Sequence, residues 1–225
     1  MNRLLVIFLI LSAQTFGQSK RLIFPAYFDG DTTEWLKSRI EPFMDVGLED
    51  LATTTEKLRI RISTDNKIVE IWSNDSTAFS GQQVLYTSSF DPENKKPSVL
   101  YSIKKSIGAD TSKMIFSIID SLRILRIPEQ DSVKNWSHGL DGYVYIVEYS
   151  DQTTFSSKSY WTPSAFKQIP EALAIYTIDQ EIDKLLNLSN SFDLFMRTLP
   201  ADNCYHIGGI SILCPGKKSR KKRKR

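Results

Sequence analysis

The chain carries its clearest secondary-structure pattern in Leu58-Arg-Ile-Arg-Ile-Ser-Thr-Asp-Asn-Lys-Ile-Val-Glu-Ile-Trp-Ser73. Its first half alternates apolar and charged residues, which is the period-two pattern of a strand with one buried face. The central Asp-Asn pair predicts a tight turn, and the residues after it predict a partner strand. A two-residue turn would place Ile62 opposite Val69 and Ile60 opposite Ile71, so that four β-branched residues share one face. The stretch therefore predicts an antiparallel hairpin.

A second hairpin is predicted in residues 139–161. Its strands run from Tyr143 to Tyr149 and from Thr154 to Trp161, on either side of a polar loop at Asp151-Gln152. Residues 74–98 are rich in Ser, Asp, Asn, Lys and Pro, and they predict an elaborated loop apart from a short strand at Val84-Leu85-Tyr86.

Four segments have helical patterns. Asp31-Thr-Thr-Glu34 is a capping box that opens a helix ending near Pro42. Asp110 or Thr111 caps a second helix, which Pro128 closes and whose apolar stripe comprises Ile115, Ile118, Ile119, Leu122 and Leu125. A third runs from about Pro170 to Leu188, and a short fourth, which Pro200 ends, carries Phe192, Phe195, Met196 and Leu199. Because no repeat or linker divides residues 18–216, the sequence predicts a single α+β domain, with an antiparallel sheet of hairpins packed against three or four helices.

The amino terminus predicts export. Arg3 precedes an unbroken apolar run from Leu4 to Leu11, and small residues Thr15 and Gly17 stand before a cleavage point at Gln18. This is the layout of a signal peptide over residues 1–17, and its apolar run is far shorter than the ~20 residues of a membrane-spanning helix. We therefore expect a periplasmic or secreted protein.

The charge is strongly asymmetric along the chain. Of 29 basic residues, eight form a tail at residues 217–225: Lys217, Lys218, Arg220, Lys221, Lys222, Arg223, Lys224 and Arg225. Leaving out these eight and Arg3, 20 basic residues remain against 26 acidic ones, so the body is mildly acidic. So dense a run of like charge predicts a disordered tail. Such a tail is attracted to anionic lipid or lipopolysaccharide by about 1 kcal/mol per basic residue near the surface. Nucleic acid is a less favoured partner because of the export signal.

Cys204 and Cys214 predict a disulfide, since an exported chain with two cysteines usually pairs them. A two-residue turn at Gly208-Gly209 would point the two sulfur atoms to opposite faces. A three-residue loop from Gly208 to Ile210 would instead set the cysteines directly opposite each other. Their spacing matches no standard metal site, and we predict no metal or cofactor.

Glu148, Asp141 and His138 are the candidates for acid–base chemistry. Alternation in the predicted strand puts Glu148 on the face of Val144 and Ile146, taken as the buried side, where a carboxylate must be paired or have a raised pKa. A structural ion pair with an Arg or Lys is the favoured alternative, and Asp141-Gly142 is also ordinary turn chemistry. The chain has no G-x-S-x-G, H-E-x-x-H or phosphate-binding motif, so an enzyme is the less favoured class.

Tyr143, Tyr145 and Tyr149 share the other face of that strand, and pairing around Asp151-Gln152 would bring Tyr160 opposite Tyr143 and Lys158 opposite Tyr145. Such an aromatic platform binds sugars or peptides, or it covers a half-exposed sheet. We regard the sheet-covering role as the commoner one.

About 130 residues of the chain resemble, in outline, a loosely defined group of exported bacterial proteins, of a type found in Bacteroidota, with a G-x-D-G-x-x-Y/W-x-x-E … W-x-P core, and the stretch from Asp141 to Pro163 is the specific part of the match. The matching residues are Gly139, Asp141, Gly142, Tyr145, Glu148, Trp161 and Pro163. The resemblance implies an α+β fold and an exported location, and it carries no activity. The group often has Arg before the Trp of W-x-P, where this chain has Tyr160.

Taken together, these features favour a non-catalytic exported protein that binds a ligand or partner at the cell envelope. One alternative is a hydrolase that uses Glu148 with Asp141 or His138. Another is a scaffold or assembly subunit, for which an exposed apolar patch near Phe192, Phe195 and Met196 is expected.

Overall fold

The computed structural model describes residues 20–23, 43–93, 97–139, 141–208 and 211–215. The predicted signal peptide, the capping-box helix and the basic tail lie outside these residues. The described residues form nine strands and three α-helices, which confirms the α+β class. No helix in this part of the chain combines the length and the apolar character that a membrane span requires.

The strands are β1 (Arg21–Ile23), β2 (Leu58–Thr64), β3 (Lys67–Ser73), β4 (Ser80–Phe90), β5 (Leu100–Ile107), β6 (Val144–Ser150), β7 (Thr154–Trp161), β8 (Cys204–His206) and β9 (Ile212–Leu213). They lie in the order β1-β7-β6-β2-β3-β4-β8-β9, and β5 pairs with β4 beside this path. The β1–β7 pairing is parallel, and the other pairings among the described strands are antiparallel.

The register predicted for β2 and β3 is confirmed. Ile62 lies opposite Val69, and Ile60 lies opposite Ile71, across a turn in which Asn66 has a φ of 65°. Asn tolerates this left-handed conformation better than most residues because its short side chain bonds locally. All four apolar residues belong to the main core, which the helices cover.

The short strand predicted at Val84-Leu85-Tyr86 is present, but it is far longer than expected, so the loop predicted around it over residues 74–98 is wrong for residues 80–83 and 87–90. Residues 80–90 form the eleven-residue strand β4, which pairs with β3 and β8 as well as β5. Its sequence lacks alternation because both faces are covered: Leu85 packs in the main core, while Val84 packs in a second cluster with Phe43 and Leu48.

The helices are α1 (Ala109–Ser121), α2 (Pro170–Leu186) and α3 (Leu188–Arg197). Neither Asp110 nor Thr111 caps α1, because the helix begins at Ala109 and its N-cap is Gly108, which has no side-chain bond to offer. It also ends before Pro128, and a 3-10 turn at Ile124–Arg126 follows. Pro170 opens α2 as expected, and Asn187, with φ 51°, separates α2 from α3.

The pairing register predicted between β6 and β7, with Tyr160 opposite Tyr143, is wrong. Tyr145, not Tyr143, lies opposite Tyr160, and Lys158 lies opposite Val147. The connection is longer than two residues because the Asp151 carboxylate accepts hydrogen bonds from the backbone N–H groups of Thr153 and Thr154, at 2.7 Å each. These bonds build an Asx-type turn that extends the loop.

Candidate functional site

Glu148 is buried, and it is paired with an arginine. Its strand neighbour across β2 is Arg61, and Arg61 Nη1 donates to Glu148 Oε2 at 3.1 Å. The side chains are 1% and 2% exposed, so this contact is shielded from water. The favoured alternative from the sequence, a structural ion pair, is therefore the arrangement that the residue adopts.

The pair belongs to a charge layer, which we define as Arg59, Arg61, Glu70 and Glu148. Glu70 Oε1 accepts hydrogen bonds from Arg59 Nε and from Arg61 Nη2, both at 2.9 Å. These charges lie on the sheet face that Phe43 and its neighbours cover, and Arg59 Nη1 also pairs with Glu56 at 2.8 Å and with the more exposed Glu49 at 2.6 Å. Buried charges persist when they are paired in this way.

The two carboxylates of the layer respond differently to their surroundings. Burial raises the pKa of Glu148, and the nearby Arg61 opposes this only in part. Burial also acts to raise the pKa of Glu70, but Arg61 and Arg59 outweigh it, and the pKa of Glu70 is lowered.

Glu148 is buried within β6, whereas Asp141 and His138 are exposed and lie in the segment before that strand. Glu148 lies four residues into β6 from Val144, and Asp141 precedes that strand, so about 13 Å of strand already separates the two regions. His138 Nε2 lies 2.6 Å from Asp131 Oδ1, and its side chain is 50% exposed. Glu148 and Asp141 therefore lie in different environments.

The tyrosine face of β6 points into the helix-covered core, and Glu148 on the opposite face is buried as well, so the strand is covered on both faces and not on the predicted face alone. Tyr145 is 4% exposed and Tyr160 is fully buried, whereas Tyr143 and Tyr149 are half-buried. Tyr145 Oη donates to Asp179 Oδ2 of α2 at 2.9 Å. Burial raises the pKa values of both Tyr145 and Asp179. In this geometry the two buried tyrosines form part of the core.

Glu129 is a residue that sequence reasoning missed. Its carboxylate accepts hydrogen bonds from Ser159 N, at 3.2 and 3.3 Å, and from Ser159 Oγ at 3.1 Å. Next to it, Gln130 Oε1 accepts from Trp161 N. Burial raises the pKa of Glu129 to about 7. The two side chains accept hydrogen bonds from backbone N–H groups of β7 beyond the residues that pair with β1. These contacts join segments about 30 residues apart, so no local sequence pattern predicts them.

The disulfide is present, and the three-residue loop is the register that the chain adopts. The Cα atoms of Cys204 and Cys214 lie 4.1 Å apart, and Tyr205 lies opposite Leu213. Ile207 N donates to Ser211 O at 2.9 Å, which closes the loop. The hairpin is fixed to the sheet because β8 pairs with the end of β4.

A hairpin groove lies beside the disulfide. We define it by Phe192 and Met196 of α3 together with Ile207, Leu213 and Pro215, and its volume is about 470 Å³. Asp193 and Arg197 complete its rim. Pro215, which lines this groove, is two residues before Lys217 in the sequence.

The apolar patch expected near Phe192, Phe195 and Met196 is largely internal. Phe195 and Met196 are 7% and 8% exposed, and Phe192 is half-buried. The exposed apolar residue of α3 is Leu194, at 54%. The described residues include no cluster of His, Cys, Asp or Glu suited to a metal ion.

Comparison of the sequence with protein-family models finds no matching family, and comparison with curated proteins finds no match either.

Proposed function

We propose that the protein is exported after removal of residues 1–17, folds as one domain over residues 18–216, and acts as a non-catalytic binding protein at the bacterial envelope. Its basic tail attaches it to an anionic surface, either anionic lipid or lipopolysaccharide. The resemblance of residues 139–163 to exported bacterial proteins agrees with this location.

The observation that carries the proposal is the position of the disulfide hairpin. The bridge from Cys204 to Cys214 joins the last two described strands, β8 pairs with β4, and the first of the eight tail charges, Lys217, follows three residues after Cys214. A disulfide persists in the oxidising compartments that an exported protein enters. The tail therefore leaves the domain from a covalently fixed point.

Charge then supplies both attraction and orientation. Eight basic residues, at about 1 kcal/mol each near an anionic surface, are enough for measurable attachment at low salt. The acidic body is repelled by the same surface, so the hairpin end faces it. Salt weakens this attachment because the charges are exposed to solvent.

The experiment is co-sedimentation of the mature chain with vesicles of phosphatidylglycerol and phosphatidylcholine, and with lipopolysaccharide. Three proteins are compared: the full mature chain, a chain truncated after Gly216, and a chain of full length with every tail Lys and Arg replaced by Gln. We expect only the first to bind at about 20 mM salt and to be released at about 500 mM. Equal binding by all three proteins would show that the tail charges do not cause the attachment.

A further inference from the structure

Among the described strands, β5 forms an edge of the sheet. It pairs with β4 along its whole length, and among the residues that the structure describes no other strand pairs with it. In an antiparallel edge strand, every second residue directs its N–H and C=O away from the sheet. Such an edge is a template for one more strand.

An apolar groove runs beside this edge on the helix side of the sheet. Its rim is formed by Ile103 of β5 and Leu194 of α3, which are 52% and 54% exposed, and Leu85 and Phe195 line it. Its volume is about 250 Å³. We call the β5 edge and this cavity together the edge groove. Large apolar side chains exposed around a cavity mark binding surfaces.

The charge of the edge groove is basic, in contrast to the acidic body. Residues 100–107 contain Lys104 and Lys105 and no acidic residue. Lys105 lines the groove and is exposed, whereas Lys104 Nζ donates to Gly47 O on the other side of the sheet. Lysine on an edge strand also discourages unwanted pairing, but that role does not require an apolar cavity beside it.

We propose that the edge groove binds an extended peptide segment of a partner protein, which adds to β5 as a further strand. Because side chains alternate along a strand, one apolar side chain of the segment enters the groove beside Ile103 and Leu194. A carboxylate two residues away on the same face meets Lys105. The inference rests on the proposed binding role of the protein, but it does not involve the tail.

A second copy of this chain is a poor occupant. The β5 strand of a second copy would offer no carboxylate to Lys105, because residues 100–107 contain no acidic residue, and the register that sets residue 104 opposite residue 104 would bring two Lys104 side chains together. Like charges directly opposite each other destabilise a strand pair. The recognised chemistry is therefore that of an acidic and apolar segment from a different protein.

The test is selection of random eight-residue peptides displayed on phage against the full mature chain. Sequences that also bind an Ile103→Ser, Leu194→Ser double variant are removed. We expect the remainder to share an apolar residue and, two positions away, Asp or Glu. A synthetic peptide of that consensus should bind Lys105→Glu about 3- to 10-fold more weakly and the double variant at least about tenfold more weakly.

Lys113, exposed on α1, provides the control, because Lys113→Glu makes the same charge change away from the groove. Selection on Lys105→Glu should favour Lys or Arg at the position that was acidic, a gain that misfolding cannot mimic. Bound peptide should slow amide exchange in residues 100–107. The proposal is overturned if no sequences remain after removal, if they lack the carboxylate, or if Lys113→Glu weakens binding as much as Lys105→Glu. The vesicle assay can fail or succeed independently, so the two proposals are separable.

Discussion

Replacing Arg61 with Met removes the guanidinium that holds the charge layer together. Arg61 is 1% exposed and donates to Glu148, to Glu70 and, through Nη2 at 2.6 Å, to the backbone carbonyl of Glu49. Glu70 keeps Arg59 at 2.9 Å, so Glu148 is the carboxylate left without its partner. Breaking a buried pair from one side costs about 3–5 kcal/mol. This is a large part of the roughly 5–15 kcal/mol by which domains are stable.

Two further variants separate charge from packing. Adding Glu148→Gln to Arg61→Met removes the unpaired charge, and we expect it to restore about 1–3 kcal/mol. The exposed Arg126 gives the control, since Arg126→Met should change the free energy of unfolding by less than about 0.5 kcal/mol. The assay is urea unfolding followed by tryptophan fluorescence, with the disulfide intact.

The pH dependence has a definite sign. Burial already raises the pKa of Glu148, and loss of Arg61 removes the main opposing cause, so the pKa rises further. A carboxyl whose pKa is raised on folding destabilises the protein once the unfolded chain ionises, and protonation removes this penalty. The deficit of Arg61→Met should therefore be smaller at about pH 5 than at about pH 8. The reasoning would be refuted if Arg61→Met lowered the free energy of unfolding by less than about 1 kcal/mol, or if adding Glu148→Gln restored none of the loss.

Three other outcomes are expected. Serine at both Cys204 and Cys214 should lower the free energy of unfolding by about 2–3 kcal/mol and make the thermal transition insensitive to reductant; a reductant-insensitive native protein would contradict this. Because the pKa of Glu129 is raised to about 7, its carboxyl stays protonated in the folded state while the unfolded chain ionises, so stability falls as pH rises from about 5 to about 8. Glu129→Gln should remove about 1–2 kcal/mol of that fall in urea titrations, and an unchanged profile would exclude the raised pKa. Tyr145→Phe should cost about 1–2 kcal/mol, because it leaves the Asp179 carboxylate without its 2.9 Å donor; a stability equal to the wild type would mean that the bond contributes nothing.

The elements predicted correctly are those whose pairing is local. The β2–β3 register follows from alternation and a two-residue turn, and the disulfide hairpin follows from loop length and the need to bring two sulfur atoms together. In both cases the contacts that fix the structure lie within about a dozen residues.

The errors arise where a sheet is covered on both faces or on neither. Alternation gave no pattern in β4, because Val84 and Leu85 face different clusters. The strand β5 likewise shows no alternation of apolar and polar residues, and its side chains are mostly exposed. For β6, the buried face could not be chosen from the sequence, because Glu148 and Tyr145 are both buried on opposite sides of the strand.

The candidate sites depended on contacts distant in sequence. The partner of Glu148 is 87 residues away, so the sequence predicted an ion pair but not its arginine. Glu129 and the edge groove had no sequence pattern at all, since the first closes β7 from a separate loop and the second joins β5 to α3.

The most direct test of the account is the intact mass and thiol state of the protein recovered from a bacterium that expresses the full chain. We predict that the mature species begins at Gln18, fractionates with the envelope or the medium, and carries a bond between Cys204 and Cys214. Protein that retains Met1, remains in the cytosol and has both thiols open to alkylation would contradict the account.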